Sequence, residues 1–214
     1  MCFLTAPCLS NLTILCLNSQ WAFIELARHL EVQKKLRAEL CKHFEAKGDP
    51  TYDQLVNELE YLDAFTTELV RVHPAAPTIT RVVSSHFVNS PRVLADRNSE
   101  AHEDDTIPLT KPIQTASGQM VDSLFVSKGT RVFVPIQFVN KSETLWGPDA
   151  ATFNPGRWLA PEKDKRQGRW EEISGYKHLL SFADGPRACL GKNYALAEIK
   201  VTNFVPTITS WTLK

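Results

Sequence analysis

Apolar residues recur at intervals of three and four between positions 59 and 72, at Leu59, Leu62, Phe65, Leu69 and Val72. This spacing predicts one buried face of an α-helix. Pro74 predicts that the helix ends before it, because the residue that precedes a proline disfavours helical geometry. Glu68 and Arg71 share a face of this helix. On its own, such a pair is typical of a surface ion pair that contributes about 0.2–0.5 kcal/mol.

Two other patterns predict regular structure. Alternating segments around 124–126 and 131–134 flank Lys128-Gly129-Thr130, which predicts a hairpin turn between them. The residues from Lys192 to Lys200 are predicted to be helical. The acidic run Glu103-Asp104-Asp105 and the mixed run at 162–169 are typical of solvated loops.

Residues 2–24 are largely apolar, a pattern that membrane spans and signal peptides share. A basic segment does not precede the run, however, and Asn11, Asn18, Ser19 and Gln20 interrupt it. We therefore expect that this segment is not a membrane anchor.

The composition excludes several classes of function. The 214 residues are 43% hydrophobic with a formal net charge of +0, enough for a substantial core and without the basic excess of a nucleic-acid-binding protein. The histidines do not form a metal-ligand pair at helical spacing. The cysteines are odd in number and show no Cys-x-x-Cys spacing, which argues against a disulfide framework or a zinc site; they are Cys2, Cys8, Cys16, Cys41 and Cys189.

Cys189 lies in a glycine-punctuated segment just before the helix predicted from Lys192. A helix N-terminus presents unpaired N–H groups and a positive dipole end, which favour an anionic sulfur and hence a metal-binding thiolate. Gly185 and Gly191 allow unusual backbone dihedrals and the close approach of a flat cofactor. A lone cysteine is, by contrast, usually buried and inert.

The neighbours of Cys189 favour a particular cofactor. Phe182 can pack beside the sulfur and exclude water, and Arg187 carries a planar fork suited to a carboxylate. An iron porphyrin needs one axial ligand, a flat apolar slot and cations for its propionates. An iron porphyrin therefore fits the demands that these residues can meet.

Phe182, Gly185, Arg187, Cys189 and Gly191 together resemble the haem-binding loop of the cytochrome P-450 family of haem-thiolate monooxygenases. The spacing matches at all five positions. Two positions that are usually glycine in that family are Ala183 and Asp184 here. The resemblance implies that Cys189 is the axial ligand of the iron of haem b, iron protoporphyrin IX.

Glu68 and Arg71 match the Glu-x-x-Arg motif of the same family, and residues 153–158 match its Phe-x-Pro-x-Arg-Trp segment. The resemblance implies that Arg157, from that segment, completes a buried structural cluster with Glu68 and Arg71. The resemblance also implies that Arg81, in the stretch after the helix that ends before Pro74, is a second partner for a haem propionate.

Residues 21–36 resemble the end of the family's long central helix and the helix after it. That alignment places an oxygen-activating Ala-Gly-x-x-Thr-type motif near residues 10–16, where the sequence lacks it. No catalytic residue is therefore identified. We divide the chain into an atypical segment, 1–20, a cytochrome P-450 C-terminal region, 21–200, and a truncated tail, 201–214. The implied fold class is mainly α with a small β portion (α+β).

By resemblance, the predicted activity is insertion of one oxygen atom from O₂ into a small organic substrate. An NADPH-dependent flavoprotein reductase is the implied electron donor, with Lys177 and Lys192 as candidate contacts. The family resemblance places the full-length protein at the cytosolic face of the endoplasmic reticulum membrane. Two alternatives remain, a catalytically inactive haem-binding fragment and a non-folding product of a split or truncated gene.

Overall fold

A computed structural model of the chain describes residues 18–81, 104–159, 168–185 and 188–208. It divides into two compact units. The first unit comprises the residues up to Pro77 together with those from Ile136 onward, and the second unit is Thr78–Pro135. The predictions for residues 1–17, for Arg187 and for residues 209–214 lie outside the described residues.

The first unit is mainly helical. Its segments are α1 at residues 18–28, α2 (Leu30–Lys47), α3 (Tyr52–Asn57), α4 (Glu60–Val72), α5 (Ile136–Asn140), α6 (Glu143–Trp146), the 3₁₀ turns η1 (Pro155–Trp158) and η2 (Trp170–Glu172), and α7 (Lys192–Ile208).

The helix that the apolar spacing predicted is α4, and its predicted end before Pro74 is confirmed. His73 leaves helical geometry with φ −123° and ψ 66°, and its N–H closes the last turn on the carbonyl of Leu69 at 2.8 Å. Every residue from Ala64 to Val72 is buried. The helix is therefore surrounded by protein, and Glu68 and Arg71 on it are removed from water.

The core of this unit forms where α2 and α7 pack with each other and with α4, and where α3 packs against α7. Its fully buried large apolar side chains include Leu26, Leu36, Leu40, Leu62, Phe65, Leu69, Trp146, Leu179 and Ile199. At about 1.5–3 kcal/mol for each large apolar side chain buried, these contacts are the main driving force for folding the unit.

The second unit contains two small antiparallel sheets. In one, β1 (Ile79–Arg81) pairs with β4 (Val132–Val134). In the other, β2 (Asp105–Gln114) pairs with β3 (Met120–Val126), with an irregularity in register between Pro108 and Ile113. With the helical unit, these sheets give the α+β class that the sequence predicted.

The predicted hairpin at Lys128-Gly129-Thr130 is wrong in its pairing. The turn itself forms, with Gly129 at φ +84° and the Thr130 N–H donating to the Ser127 carbonyl at 3.0 Å. The strands on either side pair elsewhere, since β3 joins β2 and β4 joins β1. The loops at 115–119 and 127–131 have the same length, so closure entropy does not favour either partner. β2 is ten residues long and offers β3 a longer ladder than the three-residue β4 can.

Two further boundaries differ from the expected ones. Asp105, predicted to lie in a solvated loop, is the first residue of β2. The helix predicted at Lys192–Lys200 starts as expected but continues to Ile208.

Candidate functional site

Cys189 lies in a folded turn directly before α7. Its backbone N–H donates to the Phe182 carbonyl at 2.8 Å, and the Ala188 N–H donates to the Gly185 carbonyl at 3.0 Å. On the other side, the Lys192 N–H donates to the Cys189 carbonyl at 3.3 Å. The backbone at Cys189 is therefore held from both directions, while its side chain is a free, exposed thiol.

The surroundings of Cys189 fit a flat apolar group. Leu190 is fully exposed and Tyr194 is largely so, although each carries a large apolar surface that water solvates poorly. A Cβ added at Gly185 or Gly191 would meet nothing within 4 Å, so the space beside both glycines is open. A soft sulfur donor flanked by open, apolar surface is a donor set that suits haem iron.

Ala183 has the left-handed dihedral φ +56°. Glycine adopts this region without strain, whereas a residue with a Cβ is disfavoured there by roughly 1–2 kcal/mol. The Ala183 N–H donates to the Leu180 carbonyl at 2.8 Å, which helps to hold the turn. The backbone thus adopts at Ala183 a conformation that glycine would accommodate more easily.

The Phe182 ring packs against Tyr176, and its expected contact with the Cys189 sulfur stays a prediction. The two rings meet edge-to-face at 5.7 Å between centroids. The Phe182 backbone carbonyl accepts the Cys189 N–H. Phe182 therefore connects the Cys189 turn to the preceding loop and the core.

The side chains of the two predicted propionate partners, Arg187 and Arg81, lie outside the described residues. Arg187 lies outside the described residues, and Arg81 is described only by its backbone, which pairs with Val132 in the β1–β4 sheet. Their roles stay predictions.

Glu68 and Arg71 form a bidentate ion pair with fully buried side chains. Arg71 donates from Nε to Glu68 Oε2 at 2.8 Å and from Nη2 to Oε1 at 2.7 Å. Its remaining donors reach the carbonyls of Asn140, Ala150 and Thr152 at 2.6–3.1 Å. The guanidinium therefore ties α4 to α5 and to the segment that leads to η1.

Arg157 joins this cluster through a longer contact. Its Nε lies 3.5 Å from Glu68 Oε1, while its Nη atoms bind both carboxylate oxygens of Asp149 at 3.0 and 2.6 Å. The structure thus brings Glu68, Arg71 and Arg157 together, and it adds Asp149, which the sequence analysis did not select. The sequence did contain a signal for Asp149, because it is an acidic residue that precedes Arg157 on a loop punctuated by glycine and proline.

Two further donors to Glu68 were also missed. The Asn154 backbone N–H reaches Oε1 and the Trp158 indole Nε1–H reaches Oε2, both at 2.9 Å. Together with the two Arg71 donors, these hydrogen bonds satisfy both carboxylate oxygens, as a buried charge requires. The Asn154 contact comes from the backbone, which residue identity does not reveal.

The Asn140 side chain connects the cluster to the loop before Cys189. Its Nδ2 donates to the Arg71 carbonyl at 3.2 Å and to Ser181 Oγ at 2.8 Å, and Ser181 donates to the Val70 carbonyl at 2.6 Å. Ser181 directly precedes Phe182. The buried ion pair and the Cys189 turn therefore belong to one hydrogen-bonded network.

Within the described ranges, no helix has the length and apolar character needed to cross a bilayer. The same residues contain no group of three or more His, Cys, Asp or Glu side chains that could hold a metal ion. A single cysteine sulfur, such as that of Cys189, does not form such a group.

The family model and the similar proteins found by comparison all carry the name of one family. The family model "Cytochrome P450" matches residues 17–90 and 105–204. Cytochrome P450 monooxygenase claU of Ampulloclitocybe clavipes is 46% identical over 180 residues, which are 84% of this chain and 29% of that protein. Cytochrome P450 monooxygenase 205 of Postia placenta is 37% identical over 185 residues, 86% of this chain and 29% of that protein. The chain thus spans about three-tenths of the length of these curated relatives.

Proposed function

Because the chain belongs to the cytochrome P450 family, we propose that Cys189 is the axial thiolate ligand of haem b and that the chain forms the ligand-bearing part of a monooxygenase. The observation that carries this proposal is the free, exposed thiol of Cys189 in a turn whose backbone is held on both sides. A ligand fixed in this way loses little conformational entropy when the metal binds.

In this proposal, four residues near Cys189 in the sequence and Arg81 each help to hold the haem. Gly185 and Gly191 leave room for the porphyrin plane, and Phe182 fixes the turn through its carbonyl. Arg187 and Arg81 neutralise the propionates in this proposal. The bound haem would supply the chemistry, insertion of one oxygen atom from O₂ into a small organic substrate, with the thiolate donating electron density to the iron.

The buried cluster of Glu68, Arg71 and Arg157 has a structural part in this function. It lies on α4 and η1 and is linked to the Cys189 turn through Asn140 and Ser181. We assign it the role of holding the core against which the ligand turn is fixed.

The electron donor in this proposal is an NADPH-dependent flavoprotein reductase. Lys177 and Lys192 carry positive charge on the segments before and after Cys189, and their Nζ atoms lie 5.5 and 5.0 Å from the Tyr176 ring centroid. Lys192 is the better candidate contact for an acidic surface of the reductase, since the Lys177 ammonium is already paired with Asp63. We place the complete protein at the cytosolic face of the endoplasmic reticulum membrane.

Haem titration tests the ligand assignment. The purified chain is expected to bind one equivalent of haem, with a ferric spectrum characteristic of sulfur ligation. Cys189→Ser should lose that signature, whereas Cys41→Ser, which changes the other described free cysteine, should keep it. Identical spectra for the native chain and Cys189→Ser would refute the proposal.

A further inference from the structure

Asp63 on α4 binds lysines from both segments that flank Cys189. Its Oδ1 lies 2.8 Å from Lys200 Nζ in α7, and its Oδ2 accepts a hydrogen bond from Lys177 Nζ in the loop before Cys189. One carboxylate therefore connects the chain before and after Cys189 to the helix that carries Glu68. We propose that Asp63 is a positioning residue that fixes the backbone around Cys189.

The contact with Lys200 fixes the segment after Cys189. The Lys200 side chain is only 3% exposed, and its other hydrogen bond is to the Leu55 carbonyl at 3.2 Å. A buried ammonium group requires a compensating charge, which Asp63 supplies. Because α7 begins at Lys192, three residues after Cys189, this pair holds the helix that leads out of the turn.

The contact with Lys177 fixes the segment before Cys189. Lys177 and His178 are consecutive non-glycine residues with φ +50° and +63°. Such dihedrals are unfavourable and persist only when the surroundings enforce them. Lys177 Nζ binds Thr67 Oγ1 at 3.0 Å as well as Asp63, and the Thr67 hydroxyl donates to the Asp63 carbonyl at 2.7 Å. These α4 contacts hold Lys177 in its unfavourable conformation.

Tyr176 transmits this restraint to Cys189. Its ring packs edge-to-face on Phe182, and Lys192 Nζ lies 5.0 Å from its centroid. Phe182 in turn accepts the Cys189 N–H at 2.8 Å. Burial, with a smaller contribution from the Asp63 charge, raises the pKa of Tyr176 to about 12, so the ring stays neutral between the two lysines. Contacts thus run without a gap from Asp63 to the Cys189 backbone.

Amide hydrogen exchange in the haem-free chain tests this role. We expect Asp63→Asn to accelerate exchange of the Cys189 amide about tenfold or more, equivalent to about 1.4 kcal/mol of lost protection. Peptides from the middle of α2, around Leu36 and Leu40, should keep their exchange rates. Glu58→Gln is the matched control, because it removes a carboxylate whose lysine contact, to Lys47 at 2.5 Å, is exposed.

Two results would overturn the proposal. An unchanged Cys189 exchange rate would show that Asp63 does not fix the turn. An equal acceleration in α2 would show that Asp63 only adds to global stability. If Asp63→Asn does not fold, Lys177→Met carries the same test, since it leaves the buried Lys200 pair in place. Lys177→Met should accelerate amide hydrogen exchange in the peptide that contains residues 176–189. No acceleration in that peptide would also refute the proposal.

The role of Asp63 toward haem rests on the proposed function, but the exchange measurement does not. If the native chain binds no haem, the proposed function fails while the exchange result still decides whether Asp63 positions Cys189. If haem binds, Asp63→Asn should lower the sulfur-ligated fraction of the bound haem, measured from the absorption spectrum. An unchanged fraction, with less total haem bound, would indicate a merely stabilising residue and contradict the proposal.

Discussion

Glu68→Gln is the perturbation whose effect the structure defines most fully. Glu68 Oε1 accepts hydrogen bonds from Arg71 and Asn154 and lies 3.5 Å from Arg157 Nε, and Oε2 accepts hydrogen bonds from Arg71 and Trp158. Whichever oxygen becomes the amide nitrogen, its N–H groups point at other donors. The variant therefore loses at least two hydrogen bonds as well as the negative charge.

The expected loss in the free energy of unfolding follows from the Arg71 charge that remains buried. Arg71 is fully buried, and without the Glu68 charge its guanidinium keeps only neutral partners, the carbonyls and the Trp146 ring, whose centroid lies 5.4 Å away. Removing one member of a buried ion pair typically destabilises a protein by about 3–5 kcal/mol. Domains of this size are stable by about 5–15 kcal/mol, so the variant is expected to be marginally folded.

Urea unfolding followed by circular dichroism measures this cost, and Glu172→Gln is its matched control. Glu172 and Arg169 form the same bidentate pair at the same three-residue spacing, but with roughly half-exposed side chains. Their loss should cost less than about 1 kcal/mol. Equal changes in the free energy of unfolding for Glu68→Gln and Glu172→Gln would refute the claim that burial makes the Glu68 pair essential.

Three further predictions follow from individual contacts. Ala183→Gly should stabilise the chain by about 0.5–1 kcal/mol in urea unfolding, because relief of the left-handed strain exceeds the added chain entropy; a lower stability would contradict this. Trp158→Phe removes a donor to a buried carboxylate and should destabilise by about 1.5–3 kcal/mol, measured the same way; no loss would show that the contact contributes nothing. Burial would raise the pKa of Asp63, but Lys177 and Lys200 outweigh it and lower the pKa below the ordinary 3.8. The carboxylate therefore stabilises the fold above about pH 4, and this contribution should disappear on acidification through its folded pKa. Asp63→Asn should flatten that part of the pH profile of unfolding, and an unchanged profile would contradict the ion-pair assignment.

The sequence predicted elements whose cause is local. The apolar spacing of α4 and the proline that follows it are both explicit in the sequence, so the helix and its end at Val72 were predicted correctly. The turn at Gly129 was also predicted, because it depends on a few neighbouring residues. The pairing of β3 and β4 was not, since strand partners depend on competition between distant segments.

The site divides in the same way. Motif spacing selected Glu68, Arg71 and Arg157, and the structure places them within one cluster. Motif spacing could not reveal that Arg157 binds chiefly Asp149. Nor could it reveal that the Asn154 backbone N–H is one of the hydrogen-bond donors to Glu68. Such contacts depend on how loops fold over α4 and leave no periodic signal in the sequence.

The absorption spectrum of the reduced, haem-loaded chain under carbon monoxide tests the central claim most directly. Thiolate ligation by Cys189 predicts a strongly red-shifted Soret band in the native chain and its loss in Cys189→Ala. A haem-dependent spectrum without that shift, or a shifted band that survives in Cys189→Ala, would contradict the assignment of Cys189 as the iron ligand.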